Sequence, residues 1–170
     1  SYCIYPGDSS NEVKISCEEY SQNGYPHGES INYQFCTRTQ KHYISVKTNY
    51  VNGKQNGKVS NYQIFPGDTS NEVRITNEIH YQNGYPHGES INYNFCTKTQ
   101  KHYISQKSNN VNGKQNGLCI HFIISPKTNE YRKNNECAIK DGLFHGEYIN
   151  YTDGEKIGSK QNYNMGVINR

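Results

Sequence analysis

Histidine and cysteine are the residue types in this 170-residue chain that could bind metal, act as nucleophiles or cross-link; it has seven of the first and six of the second. His27, His87 and His145 recur in one sequence context, and His42 and His102 in another. If those contexts lie four strands apart, equivalent histidines stand roughly 19 Å from one another, at about 4.8 Å per strand. Zinc needs ligands about 2.0–2.3 Å away, so they cannot share an ion. They read instead as turn residues shielding the glycine that follows. The run Gly53–Lys58, "GKQNGK", has three residues between its glycines where a phosphate loop needs four, and no Ser or Thr follows Lys58. No nucleophile has a strand–turn–helix setting. The acidic pair Glu18–Glu19 becomes Glu78–Ile79 further along. The chain therefore reads as non-enzymatic, with no metal and no cofactor.

The cysteines are more informative. Cys36 and Cys96 occupy equivalent places and by the same strand count stand roughly 19 Å apart, whereas a disulfide needs Cα atoms within about 7 Å. Cys3 and Cys17 become Gln63 and Asn77 in the next copy, so both vanish together. They flank one turn, and Cys119 and Cys137 flank the matching turn later. Two readings stand side by side. In one, Cys3–Cys17 and Cys119–Cys137 are hairpin staples and Cys36 and Cys96 are free or intermolecular thiols. In the other, all six are reduced. Asn150-Tyr-Thr is a candidate glycosylation site if the chain is secreted.

These residues are positioned by a repeat. The phrase "NGYPHGESINY" occurs at Asn23–Tyr33 and again at Asn83–Tyr93. Residues 5–57 and 65–117 match at 40 of 53 positions with a period of 60. The copies run 5–64 and 65–124, with a degenerate third over 125–170, in one array spanning 1–170. Inside this lies a unit of about 30 residues, marked by Gly24, Gly53, Gly84, Gly113 and Gly142. Each of these has a second glycine four residues on: Gly28, Gly57, Gly88, Gly117 and Gly146. Asn-Gly between alternating runs is a hairpin signal. Period-two alternation in "EVKISC", "SINYQF" and "NYQIF" predicts strands near 12–19, 29–36, 42–50 and 58–65, repeated 60 residues on. No segment has helical periodicity. The expected fold is all-β: an elongated, solenoid-like antiparallel meander of hairpins.

Composition agrees. Only 32% of residues are hydrophobic, mean hydropathy is −1.02, and sixteen residues are Tyr. Tyr at regular places suits narrow sheets whose rings pack while their hydroxyls reach water. Net charge is +3, with Lys and Arg scattered among acids, so nucleic acid is not an expected partner. No apolar run approaches the roughly 18 residues of a helical membrane span.

The pattern Tyr-x-Asn-Gly-x-x-His-Gly-x-x-x-x-Tyr, in "YQNGYPHGESINY" and less fully in "KDGLFHGEYINY", resembles the MORN repeat. The resemblance implies an elongated twisted sheet in which glycines let aromatic rings stack on the backbone, and it associates such arrays with membrane lipids. The unit here is longer than the usual 23 or so residues, through the connection Cys36–Lys41 and the "PGDSSN" loop. The chain opens at Ser1 without Met, which suggests a removed leader or a piece of something longer. "Ser1-Tyr-Cys-Ile-Tyr-Pro-Gly-Asp" matches "Asn61-Tyr-Gln-Ile-Phe-Pro-Gly-Asp". Laying Arg170 against Ser1 of another copy nearly rebuilds a unit, the pattern of a head-to-tail contact. The expectation is a structural protein that self-assembles into a fibre or surface coat at an extracellular or virion surface. The alternatives are a glycan- or lipid-binding module, and a cytoplasmic setting.

Overall fold

The computed structural model describes residues 1–152 and 156–168. Parts of the degenerate third copy (153–155, 169–170) lie outside that set, as does Arg170 of the head-to-tail match. The fold is all-β, an antiparallel meander of successive hairpins, with no helix among the described residues. Two compact units divide the chain, Ser1–Tyr85 and Pro86–Arg170. The boundary falls just past an Asn-Gly turn rather than between two 60-residue copies.

The first unit contains β1 (Tyr2–Cys3), β2 (Lys14–Ile15), β3 (Cys17–Gln22), β4 (Tyr25–Cys36), β5 (Lys41–Val51), β6 (Lys54–Gln55), β7 (Gly57–Ile64) and β8 (Val73–Gln82). Its strands run in the order β3-β4-β5-β7-β8, with β6 on β5 and a separate β1-β2 ladder. In the second are β9 (Tyr85–Cys96), β10 (Lys101–Val111), β11 (Lys114–Gln115), β12 (Gly117–Ile124), β13 (Tyr131–Lys140), β14 (Leu143–Thr152), β15 (Lys156–Asn164) and β16 (Val167–Ile168). Their order is β9-β10-β12-β13-β14-β15-β16, with β11 on β10.

The strands reach closer to the turns than alternation alone indicated, because the Asn-Gly hairpins are two-residue loops. The strand expected over 12–19 breaks at Ser16, whose N–H donates to the Ser1 carbonyl and whose carbonyl accepts from Tyr33 N–H. The equivalent Thr76 is the extra residue of a β-bulge between Asn61↔Asn77 and Tyr62↔Ile75. Ser45, Ser105, Asn134 and Gly158 are extra residues of the same kind. One bulge per long hairpin adds local twist, which a many-stranded meander needs to avoid lying flat.

The core is thin. Among the described residues the buried apolar side chains are Val59, Ile64 and Phe65 in the first unit, and Phe95, Cys119, Cys137 and Ile139 in the second. Much of the remaining buried surface is small and polar, such as Ser30, Ser45, Thr48 and Ser60, then Ser90, Ser108 and Asn110. A short hydroxyl can fit under a sheet and keep a hydrogen bond to nearby backbone, as Ser45 Oγ does by donating to the Asn32 carbonyl at 3.2 Å, whereas the buried Thr48 hydroxyl has no partner among the described residues.

Candidate functional site: a laddered turn edge, paired thiols and a charged loop

The turns of the short hairpins are built alike. Asn23-Gly24, Asn52-Gly53 and Asn83-Gly84 in the first unit, and Asn112-Gly113, Asp141-Gly142 and Met165-Gly166 in the second, all have positive φ at both residues. That is the requirement of a type I′ turn, whose twist matches the flanking strands. The later glycines, Gly28, Gly57, Gly88, Gly117 and Gly146, also have positive φ. Around Gly28 three residues (27–29) face one, Tyr20, across the ladder. The extra backbone carries Pro26 towards the following turn, and Gly53 N–H donates to its carbonyl at 2.8 Å. The same step recurs as Gly84 to Gln55 in the first unit, and as Gly113 to Pro86, Gly142 to Gln115 and Gly166 to Phe144 in the second. Within each unit, a turn is thus hydrogen-bonded to the hairpin before it.

Each of these hairpins carries an exposed apolar side chain beside its turn: Tyr25, Val51 and Tyr85, then Val111, Leu143 and Val167. The Tyr25 ring leans on the next turn, since a Cβ at Gly53 would stand 3.3 Å from its Cδ1. The histidines serve the same ladder. His27 Nδ1 lies 3.5 Å from Asn52 N–H, and His87 Nδ1 lies 3.5 Å from Asn112 N–H, each as acceptor. His145 Nδ1 is buried with no partner among the described residues. At the second position, His42 stacks on Tyr33 at 5.1 Å and 10°, with Nε2 2.7 Å from the Ile15 carbonyl oxygen. His102 stacks on Tyr93 at 5.3 Å and 9°. No group of three metal-ligating side chains forms among the described residues.

All six cysteines carry free thiols. Cys119 lies directly opposite Cys137, and both are about 2% exposed. They form a cluster with Ile139, against which Tyr148 packs. The facing Cys137 thiol, first of all, lowers the Cys119 pKa. Gln106 Nε2 donates to Cys119 Sγ at 3.2 Å, and His121 Nε2 lies 3.5 Å away. Cys137 is pushed up, first by the facing Cys119 and then by burial. Cys3 and Cys17 are not in register with each other: Cys3 faces Lys14, and Cys17 faces Asn32. Cys36 and Cys96 end β4 and β9. The Thr39 hydroxyl, with backbone N–H groups of Thr39 and Arg38, lowers the Cys36 pKa; Thr99, then Lys98, do the same at Cys96. Both are partly exposed thiols with raised thiolate character.

Two arrangements escape the motif reading. In the first unit's loops, Asp8 and Asp68 are buried, at 6% and 2% exposure. Asp68 Oδ1 accepts from Ser70 N–H (2.9 Å) and Oγ–H (2.7 Å), while Oδ2 accepts from Arg74 Nε at 2.7 Å. Asp8 makes the same bonds with Ser10 and Lys14. The cation, first of all, lowers both carboxyl pKa values to about 2. The signal in the sequence was the charge-preserving exchange Lys14/Arg74, six residues after each Asp. The second arrangement pairs Tyr33 O–H with Glu18 Oε1, and Tyr151 O–H with Glu136 Oε1, both at 2.6 Å. The Glu18 carboxylate pushes the Tyr33 hydroxyl up to about 12.

Asn150 of the sequon sits within β14, opposite Asn135 on one side and Ser159 on the other, and its Nδ2 donates to Ser159 Oγ at 3.0 Å. No described helix is long and apolar enough to cross a membrane. Comparison of the chain with protein-family models, with curated proteins and with solved structures returns no match.

Proposed function

We propose that this chain is a non-enzymatic, MORN-like structural repeat protein that associates with further copies of itself into a fibre or coat. One observation carries the reading. The described residues bury seven apolar side chains and leave seventeen large ones exposed, several at equivalent repeat positions. Tyr25 and Tyr85 are 61% and 62% exposed, and Val51 and Val111 are 40% and 39%. Scattered exposed apolar groups are ordinary, but a set recurring at the same place in successive hairpins is the kind of surface that marks an interaction site. A second copy offers the same residues at the same spacing, which makes it the occupant best matched to that surface.

The setting we propose is a cell or virion surface, where Cys36 and Cys96 supply thiols for bonds between subunits. Negative-stain electron microscopy with and without reductant tests this. Regular assemblies that loosen on reduction support it, and single small particles in both conditions overturn it. A glycan- or lipid-binding module is the second reading, favoured by the exposed Tyr25 and Tyr85 rings as stacking platforms. Binding to glycans or lipid vesicles by a chain that stays monomeric would select it.

A further inference from the structure

The strongest unassigned feature is the loop of the third copy, where an internal carboxylate has been deleted and its cation kept. In the second copy the loop is Phe65-Pro-Gly-Asp-Thr-Ser-Asn-Glu-Val-Arg74; in the third it is Ser125-Pro-Lys-Thr-Asn-Glu-Tyr-Arg132, two residues shorter. The strand register on either side is unchanged: Gln63 faces Arg74, and Ile123 faces Arg132. Asp68 plays two parts in its loop. Oδ1 caps the turn through Ser70, and Oδ2 takes the guanidinium of Arg74. Ser125, itself 5% exposed, takes over the capping, since its Oγ accepts from Thr128 N–H at 3.3 Å. No residue among those described takes over the pairing with the guanidinium.

Arg132 instead donates through Nη1 to the Tyr151 carbonyl at 3.3 Å and borders a cleft of about 270 Å³. Ser125, Pro126, Lys127, Tyr151 and Thr152 complete its walls. A second cation stands near: Lys98 Nζ donates to the Pro126 carbonyl at 3.2 Å. The nearest acidic residue of the loop, Glu130, is exposed and makes no ion pair with Arg132 among the described residues, whereas Glu72 pairs with Arg74 at 2.9 Å. A guanidinium keeps several donors in a fixed fork that suits a planar carboxylate.

We propose that this cleft binds a carboxylate from outside the loop, Arg132 receiving from a ligand the group that Arg74 receives from Asp68. A small organic acid and an acidic side chain of another copy present the same group, and the test separates them. The Arg Nε–H resonances of the full chain are followed by NMR while sodium acetate is added, with sodium chloride at matched ionic strength as control. Arg132 Nε–H shifts and saturates in the millimolar range, and the Arg74 signal, already paired with Asp68, stays put. R132Q abolishes the response, and R132K weakens it about tenfold because an ammonium lacks the fork. If the Arg132 signal moves with protein concentration alone and acetate reverses it, the carboxylate comes from a second copy. An Arg132 signal unmoved by acetate, or moved equally by chloride, overturns the proposal.

Discussion

The hairpin β7–β8 of the first unit and the hairpin β12–β13 of the second have the same backbone with different chemistry. Val59 faces Ile79 in one; Cys119 faces Cys137 in the other. Gln106 donates to Cys119 in the second unit, and the same repeat position holds Val46 in the first. Asp68 holds Arg74 in one loop; Ser125 and a cleft stand beside Arg132 in the other. Register and bulge survive these exchanges, and a loop two residues shorter, because the ladder is fixed by main-chain hydrogen bonds. Side chains facing the thin core are free to change as pairs, and the first unit serves as the built-in control for the second.

The sharpest test of the comparison is oxidation. Only the second unit places two thiols in register, so mild oxidation should link Cys119 to Cys137 and leave Cys3 and Cys17 unlinked in non-reducing peptide mass spectrometry. A cross-link closing a loop of that length stabilises by about 3 kcal/mol, and it should vanish in C119V/C137I, which copies the first unit's pair. Next in size is Ile139→Ala, which removes a buried side chain from the same cluster. A loss of about 2–3 kcal/mol is expected in urea unfolding.

Acid separates the loops. Asp8 and Asp68 have carboxyl pKa values near 2 in the folded chain, against about 3.9 for an unperturbed Asp. Their contribution is complete above the unfolded value and is lost as pH falls from about 4 towards 2. D8N/D68N should lower the melting temperature at pH 6 and flatten its dependence below pH 4. The third loop has no equivalent carboxylate to add to that slope. The smallest effect concerns one turn: Met165 holds a φ of 49°, where its counterparts are Asn or Asp. Met165→Asn should raise stability by up to about 1 kcal/mol, measured by thermal unfolding.

The turns were legible because Asn-Gly has few uses, and because the 30-residue spacing repeats it. The all-β class followed from alternation between those turns. The exact cysteine partners were not legible for the first pair. Cys3 and Cys17 stand where Gln63 and Asn77 stand in the next copy, and there Gln63 faces Arg74 while Asn77 faces Asn61, so flanking one turn does not put two residues in register. The buried aspartates were hidden because Pro-Gly-Asp reads as an ordinary exposed turn. Only the paired retention of a cation six residues on betrays the ion pair. The Tyr–Glu pairs were hidden because they join neighbouring strands fifteen residues apart.

Sedimentation velocity of the purified chain over a wide concentration range is the decisive measurement of self-association. Self-assembly requires species that grow well beyond 19.6 kDa as concentration rises, and a return towards that mass when Tyr25 and Tyr85 are both replaced by Ser. A single 19.6 kDa species at every concentration would refute it.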